Sequence, residues 1–148
     1  MEEEHPNVRL IREAYAATRE MDDAGSGRDD DTPRGLFGLM NEDVRVHHGG
    51  RGPFAGTHDG RNAIRATMMR ALELSADTFD EFAPHILVGD DDFVYASQRA
   101  TARGDDGVIE TTIVAVYQLR EGRIVEIWQH IADQDEWDAF WNRLAFRR

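Results

Sequence analysis

Hydrophobic positions in the first part of the chain recur every three or four residues, which is the period of an α-helix. The first set consists of Val8, Ile11, Tyr15 and Thr18. It follows Pro6, which suits a first helical turn, and it predicts a helix that ends near Met21. A short second helix is predicted to begin with Asp31 or Thr32 as its cap and to run through Met40.

Alternation of apolar and polar positions predicts the first strand. Val44 and Val46 alternate with polar neighbours, so the strand is expected to span residues 42–48. The glycine-rich segment at residues 49–53 ends this strand, and Gly60 precedes a third helix. The buried face of that helix is marked by Ile64, Met68 and Leu72.

From residue 78 onward the chain consists of strand-length segments separated by short acidic or glycine-containing turns. The segments are Thr78–Val88, Phe93–Arg103, Val108–Arg120 and Arg123–Ile131. Short connections between neighbouring strands predict antiparallel hairpins. A wide apolar stripe then predicts a closing helix. The stripe consists of Trp137, Phe140, Trp141 and Leu144. This order of elements predicts an α+β fold.

Composition restricts the class of protein and its partners. The length of 148 residues fits a single domain, residues 1–148, with residues 22–31 as a flexible acidic loop. No apolar run approaches the roughly 20 residues that span a bilayer, and the acidic start differs from a secretory signal, so we expect a cytoplasmic protein. The net charge of −12 disfavours nucleic acids and anionic membranes as partners.

Two residue types are missing, and their absence narrows the chemistry. There is no cysteine, and all 17 basic residues are arginine. Thiol nucleophiles, thiolate metal ligands and lysine Schiff bases are therefore excluded. The adjacent His47 and His48 are predicted to point to opposite faces of a strand, so we expect no metal site. The sequence contains no phosphate-binding loop or dinucleotide fingerprint, so no cofactor is expected.

Two stretches resemble the SnoaL-like polyketide cyclase group of the nuclear-transport-factor-two-like (ketosteroid-isomerase-like) superfamily. Val44 to Arg61 is similar to the family's strand, its Gly-Arg-x-Pro-x-Ala-Gly loop and the Gly-Arg that opens the third helix. The second stretch is Gly122 to Gln134, followed by Asp138 to Trp141. The resemblance implies a cone-shaped barrel of helices packed on a strongly curved, mostly antiparallel sheet around one small-molecule pocket.

Histidine is the first candidate for catalysis. His48 continues the inward-facing positions of its strand, and the resemblance places it near the general base of the ketosteroid isomerases. An imidazole suits that task because its ordinary pKa lies near neutrality. His47 matches the SnoaL-like histidine more directly but alternates to the other face, and the nearby glycines leave a bulge open. A pocket-lining role without catalysis stays open for both.

The resemblance also implies roles for Asp133 and Tyr15. Positions similar to Asp133 hold an aspartate base in the cyclases and the limonene epoxide hydrolases, and an apolar surrounding would raise its pKa. Tyr15 corresponds to an oxyanion-holding tyrosine of the isomerases. The alternatives are that Asp133 caps the closing helix and that Tyr15 packs in the core. A further aspartic acid of the isomerases is replaced here by Ala115.

Adjacent positions on one predicted strand supply two more candidates. Arg99 stands in the triplet Arg99-Ala100-Thr101, where the epoxide hydrolases have Arg-x-Asp, so it is expected to orient Asp133 or to bind a substrate oxyanion. The alternative is an exposed strand arginine. Gln98 lies on the opposite face and is predicted to line the pocket.

The last strand carries apolar residues on both faces. Trp128 and His130 share one face and are candidates for lining the pocket. The other face is formed by Val125, Ile127 and Ile131. Apolar residues on both faces predict a homodimer that covers one side of the sheet, and Trp128 suits a dimer contact equally well.

These observations and the resemblance predict a small-molecule enzyme of secondary metabolism. We expect general acid–base chemistry of the cyclase or isomerase type on a hydrophobic carbonyl or polycyclic substrate. An epoxide hydrolase or dehydratase on the same fold, and a non-catalytic small-molecule-binding module, stay open as alternatives. Convergence of a titratable pair inside one pocket would discriminate between catalysis and binding.

Overall fold

The computed structural model describes residues 3–23, 35–105 and 107–146. Within these residues the chain forms four helices and seven strands. In order they are α1 (Pro6–Asp23), α2 (Gly35–Leu39), β1 (Met40–His48), β2 (Gly56–Asp59), α3 (Arg61–Leu74), β3 (Asp80–Glu81), β4 (Ile86–Gly89), β5 (Phe93–Gly104), β6 (Gly107–Arg120), β7 (Arg123–Ile131) and α4 (Gln134–Ala145). The predicted acidic loop lies outside the described residues, except for residues 22 and 23, which end α1. The predicted caps Asp31 and Thr32 also lie outside the described residues.

The strands form one curved, open sheet in the order β2-β1-β7-β6-β5-β3, and β4 also pairs with β5. All pairings are antiparallel except that of β1 with β7. The first and last long strands therefore lie side by side, with His48 opposite Gln129. The predicted α+β class with a mostly antiparallel sheet is confirmed.

The predicted strand Thr78–Val88 is wrong in its extent, because two short strands occupy this segment. Both β3 and β4 pair with β5, at different points along it. Pro84 lies between them and has no amide hydrogen to donate to a ladder, which breaks a continuous strand at this point. The short strand β2 gives no alternating signal because its residues are mostly polar.

A β-bulge in β7 changes which residues face inward. The pairing with β6 shifts register after Gln118, so Ile124 and Ile127 are both buried although three positions separate them. The prediction that Val125 shares the face of Ile127 is therefore wrong. Val125 lies at the bulge, beside charged residues of the outer surface.

The described helices pack on the inner face of the sheet. Helix α1 packs against β1, β5, β6 and β7 in one apolar cluster that includes Ile11, Val44 and Ile127. Helix α4 builds a second cluster around Trp141, whose side chain is fully buried. No helix among the described residues has the length and apolar character needed to cross a membrane. A cavity lies between the two clusters and is lined by residues of both.

Candidate functional site

A cavity of about 110 Å³ lies between the inner face of the sheet and the helices α2 and α3. Most of its lining is apolar, and its aromatic rings come from four separate parts of the chain. These rings are Phe37, Phe54, Phe79 and Trp137. The polar side chains that line it are His48, Thr67, Glu81, Tyr117 and Gln129. An apolar cavity with a few convergent polar groups is the usual form of a small-molecule site.

His48 lies in this cavity, as the alternation along β1 predicts. Burial, with smaller contributions from the neighbouring His58 and His47, lowers the pKa of His48 from 6.5 to about 4. The imidazole is therefore uncharged near neutral pH and presents one accepting nitrogen and one donating nitrogen. Near neutral pH, negative charge that develops beside such a ring favours its protonation.

His58 supports the position of His48. The two rings meet edge to face, with their centroids 5.4 Å apart. His58 Nε2 donates a hydrogen bond of 2.8 Å to the backbone carbonyl of Phe54, which fixes the His58 ring across the loop between β1 and β2. His58 has no signal in the sequence, because the short strand β2 that carries it shows no alternation of apolar and polar residues.

One tyrosine lines the cavity and a second tyrosine supports it. Tyr117 lines the cavity, and its hydroxyl is hydrogen-bonded to that of Tyr15, which lies behind it. Burial is the largest cause that raises the pKa of each phenol above its ordinary value, so both stay protonated. The expectation that Tyr15 itself reaches the cavity is wrong, because Tyr117 on β6 stands between. Ala115, two residues earlier, is buried without a carboxylate, as its sequence position indicates.

Glu81 and Gln98 form a second polar pair at the cavity. Gln98 Nε2 donates a hydrogen bond of 2.9 Å to Glu81 Oε2. Gln98 faces inward, as predicted, but it lies behind Glu81 and does not line the cavity. Arg19 holds the short strand β3 in place by bonds to Asp80 Oδ1 at 2.7 Å and to the Glu81 carbonyl at 3.2 Å.

Asp133 does not enter the cavity, so that prediction is wrong. Its exposed side chain is the N-cap of α4, where Oδ1 accepts a hydrogen bond of 3.0 Å from the Glu136 amide. Arg99 lies on the outer face, where it pairs with Glu110 at 3.1 Å and donates to Thr112 at 2.9 Å. The expectation that Arg99 orients Asp133 is therefore wrong as well.

His47, Trp128 and His130 were candidates for lining the pocket, and the structure places all three on the outer face. His47 Nε2 lies 2.6 Å from Glu126 Oε2, and its ring stacks on Trp128 with centroids 5.6 Å apart. His130 is exposed opposite Val114 of β6. Strand alternation is kept at the end of β1, so the bulge considered for His47 does not occur there.

Three polar side chains of the sheet line the cavity but were not among the sequence candidates, for different reasons. Gln129 alternates with Ile127, so the pattern of β7 contained its signal. Tyr117 shares the inward parity of Ala115 on β6 in the same way. Glu81 could not be placed, because the segment around it was predicted as part of one long strand.

The glycine-rich loop after His48 is fastened to α4 by Asp138. Asp138 Oδ2 accepts a hydrogen bond of 2.7 Å from the Arg51 amide, and Oδ1 accepts one of 2.9 Å from Gln134 Nε2. Gly50 has a φ of 85°, and a Cβ added there would lie 2.4 Å from Gln134 Nε2 and 2.5 Å from Asp138 Oδ1. The loop therefore needs glycine at position 50 for its backbone angle and for its close approach.

The fold is a curved, mostly antiparallel sheet with helices packed against its inner face around an apolar cavity. Residues 12–127 match the SnoaL-like domain family, and the chain belongs to that family. No curated protein matches the sequence significantly. Among the described residues, no group of three histidine, aspartate or glutamate side chains is arranged to hold a metal ion.

Solved structures share the fold over most of this chain. Bal32a, from a soil-derived mobile gene cassette, superposes with a TM-score of 0.75 at 28% identity, covering 91% of this chain and 95% of that one. An NTF2-like protein from Burkholderia xenovorans LB400 has a TM-score of 0.67 at 23% identity, with coverage of 92% and 95%. A putative SnoaL-like polyketide cyclase from Jannaschia sp. CCS1 has a TM-score of 0.64 at 14% identity, with coverage of 89% and 92%. The similarity of the last two shows the fold alone.

The lowered pKa of His48 predicts a specific pH dependence of stability. Between about pH 6.5 and pH 4 the unfolded chain binds a proton at His48 that the folded chain does not. The free energy of unfolding should therefore decrease as the pH falls through this range, by about 3 kcal/mol in total. Urea unfolding at about pH 7 and pH 4.5 measures the decrease. His48→Gln should lose this part of it, and the exposed His85→Gln should retain it. Equal pH dependence in wild type and His48→Gln would contradict the assignment.

A second prediction concerns the loop fastened by Asp138. Gly50→Ala should destabilise the protein more than Gly56→Ala, because both positions have positive φ but only the Cβ at position 50 meets neighbouring atoms. Backbone strain costs about 1–3 kcal/mol at either position, and the clash adds to it only at Gly50. Denaturant unfolding of both variants provides the comparison. Equal losses of stability would show that the contact with Asp138 is not close in solution.

Proposed function

We propose that this SnoaL-like domain is an enzyme that abstracts a proton next to a carbonyl group in a hydrophobic substrate, with His48 as the base and Tyr117 as the oxyanion donor. One observation carries the proposal. An uncharged imidazole and a protonated phenol face the same small apolar cavity. This convergent titratable pair supports catalysis over binding, although His48 is paired with Tyr117 rather than with Asp133 or Arg99.

The first step is proton transfer to His48. The C–H bond next to the carbonyl breaks, the proton goes to the free ring nitrogen of His48, and the electron pair forms the enolate. A base with a pKa of about 4 is weak, but carboxylate bases with a pKa of about 4.6 perform such steps where the enolate is well stabilised. The enolate also favours the imidazolium, because opposite charges attract strongly in an apolar cavity.

Tyr117 stabilises the enolate oxygen. Either hydroxyl can donate in the hydrogen bond between Tyr15 and Tyr117. The proposed step uses the arrangement in which Tyr15 donates to the Tyr117 oxygen, so that the Tyr117 proton points into the cavity. A fixed donor in a dry site gains strength as negative charge develops on its acceptor. Tyr15 is then a positioning residue that polarises Tyr117 without touching the substrate.

The fate of the enolate defines the reaction. Return of the proton from His48 to another carbon gives an isomerisation. Attack of the enolate carbon on a second carbonyl group of the substrate gives a cyclisation, in which the carbonyl π bond breaks and its oxygen takes the proton from His48. Cyclisation has support from the family, since a similar structure is described as a putative SnoaL-like polyketide cyclase. Epoxide opening is not proposed, because Arg99 and Asp133, the residues that suggested it, lie outside the cavity.

Non-catalytic binding of a small molecule is the second candidate function. The cavity lining is predominantly apolar, which favours it. Binding alone needs neither a neutral His48 nor a free Tyr117 proton. Substitutions that keep the shape of these side chains but remove their chemistry separate the two functions.

The test uses cyclohex-3-en-1-one, whose C2 protons are acidified by both the carbonyl and the double bond. NMR in D2O follows its conversion to cyclohex-2-en-1-one. His48→Gln should lower the rate about 100-fold or more, the common range for loss of a general base. Tyr117→Phe should lower the rate about 100-fold or more, as loss of an oxyanion donor does, and Tyr15→Phe should have a smaller effect.

The exposed His85→Gln is the matched control and should retain the wild-type rate. Ketone binding, measured by calorimetry, should persist in His48→Gln. If the wild-type protein binds the ketone and accelerates neither isomerisation nor deuterium uptake, the enzymatic proposal fails and the binding module replaces it.

We also propose that the outer face of the sheet joins two copies of the chain. A continuous row of side chains crosses this face from β4 to β1. In register order it consists of Val88, Tyr95, Val116, Trp128 and His47. Tyr95 and Val88 are about half exposed, at 48% and 57%, and no helix among the described residues covers them.

The charges of this face suit a second copy of the chain. The whole chain has a net charge of −12, but the outer face pairs Arg45 with Asp59 at 2.7 Å and Arg99 with Glu110 at 3.1 Å. Two such faces therefore do not repel each other as two acidic surfaces would.

Trp128→Arg should convert a dimer to a monomer, because burying an unpaired charge costs several kcal/mol. Sedimentation velocity at micromolar concentration measures the change. Phe146→Arg is the matched control, since Phe146 is 71% exposed at the end of α4, away from the row. A wild-type monomer at this concentration would contradict the proposed dimer.

A further inference from the structure

The walls of the cavity are held in place by contacts outside it. Phe79 and Trp137 each pack edge to face against the buried Trp141, with centroid distances of 5.7 Å and 5.6 Å. Phe54 packs against the same ring at 5.1 Å. Three of the aromatic walls thus converge on one buried tryptophan. Moving any of them outward would disrupt close packing, and this limits how far the cavity can expand.

The side of the cavity formed by the sheet is held in place in a similar way. Tyr117 is held by its hydrogen bond to Tyr15, and both rings are buried in the cluster between α1 and the sheet. On the side of α3, Met68 and Ala71 point into the cavity, whereas the adjacent Met69 is 37% exposed. Met68 is therefore an unbranched, flexible wall residue whose shortening would enlarge the cavity.

The available volume matches one ring. A cavity of about 110 Å³ is somewhat smaller than an engineered protein cavity of about 150 Å³ that binds benzene. The cavity is partly open, so a fused second ring would either displace the aromatic walls that Trp141 holds or remain outside them, where it buries less apolar surface. Overpacking of that kind is unfavourable, so the size of the cavity selects against polycyclic compounds.

The polar groups of the cavity indicate a neutral ligand. Among the described residues, the side chains that line it include the Glu81 carboxylate and no arginine, and His48 is uncharged near neutral pH. A carboxylate or phosphate on the ligand would meet no counter-charge among these residues, and burying it unpaired would be costly. Tyr117 offers a hydrogen bond to one acceptor.

We infer that the substrate is a neutral, single-ring carbonyl compound, and that Met68 sets the size limit. The carbonyl part of this inference rests on the proposed function, whereas the size limit rests on the cavity alone. Fused polycyclic ketones are excluded by the same walls. The inference therefore narrows the substrate class to small monocyclic ketones and their open-chain equivalents of similar volume.

The test compares the binding of cyclohexanone and 1-decalone by isothermal titration calorimetry. Without a size limit, 1-decalone would bind more tightly, because it buries more apolar surface. We expect the opposite order, with cyclohexanone bound at least about ten-fold more tightly, since even one misfitting methylene changes recognition about 10–200-fold. The wild-type comparison alone can overturn the inference.

Two neighbouring methionines on α3 provide a matched pair of variants. Met68→Ala should strengthen the binding of 1-decalone about ten-fold or more, because it opens the cavity wall. Met69→Ala removes the same side chain from the exposed side of the helix and should keep the wild-type preference. Thermal unfolding of both variants checks that each is folded under the binding conditions.

The outcomes separate the size limit from the proposed function. Wild-type binding of 1-decalone as tight as that of cyclohexanone overturns the size limit, and so does failure of both ketones to bind at millimolar concentration. Equal effects of Met68→Ala and Met69→Ala overturn the role of Met68. If cyclohexanone is preferred but cyclohex-3-en-1-one is not isomerised, the proposed chemistry fails and the size limit stands.

Discussion

The parallel pairing of β1 with β7 is the contact on which the site depends. It joins the strand that follows α2 to the last strand of the chain, and it places His48 beside Gln129 at one edge of the cavity. The same pairing completes the inner face on which α1 and α3 pack. All other pairings of the sheet are antiparallel, and most of them connect strands that follow each other closely along the chain. Without the parallel pair, His48 and Tyr117 would belong to separate parts of the sheet.

Burial leaves both proposed catalytic groups in the protonation state that the proposed step needs. Burial disfavours the charged form of any titratable group, so it lowers the pKa of His48 and raises that of Tyr117. The imidazole is consequently free to accept a proton, and the phenol keeps the proton that it donates in a hydrogen bond. One physical effect thus prepares a base and an oxyanion donor with opposite tasks. The same dryness strengthens the attraction between imidazolium and enolate in the proposed step.

Adjacent residues of β1 have different surroundings because they lie on opposite faces of the sheet. His48 lies in the cavity, while His47 pairs with Glu126 and stacks on Trp128 on the outer face. Successive side chains of a strand point in opposite directions, so one step along β1 separates the candidate site from the proposed dimer surface. A substitution at His47 or Trp128 can therefore report on association without removing a side chain from the cavity.

The sequence by itself determined the features whose signals lie in consecutive residues. The bounds of β7 follow from alternation and turn residues, the closing helix from its apolar stripe, and the inward direction of His48 from the parity of β1. Tertiary structure decided the rest, because it depends on contacts between residues far apart along the chain. It placed Asp133 at a helix cap and Arg99 beside Glu110, and it brought Glu81 and Tyr117 to the cavity instead. Strand register and desolvation arise only when distant segments pack together, so a pattern local to one segment cannot predict which polar groups meet.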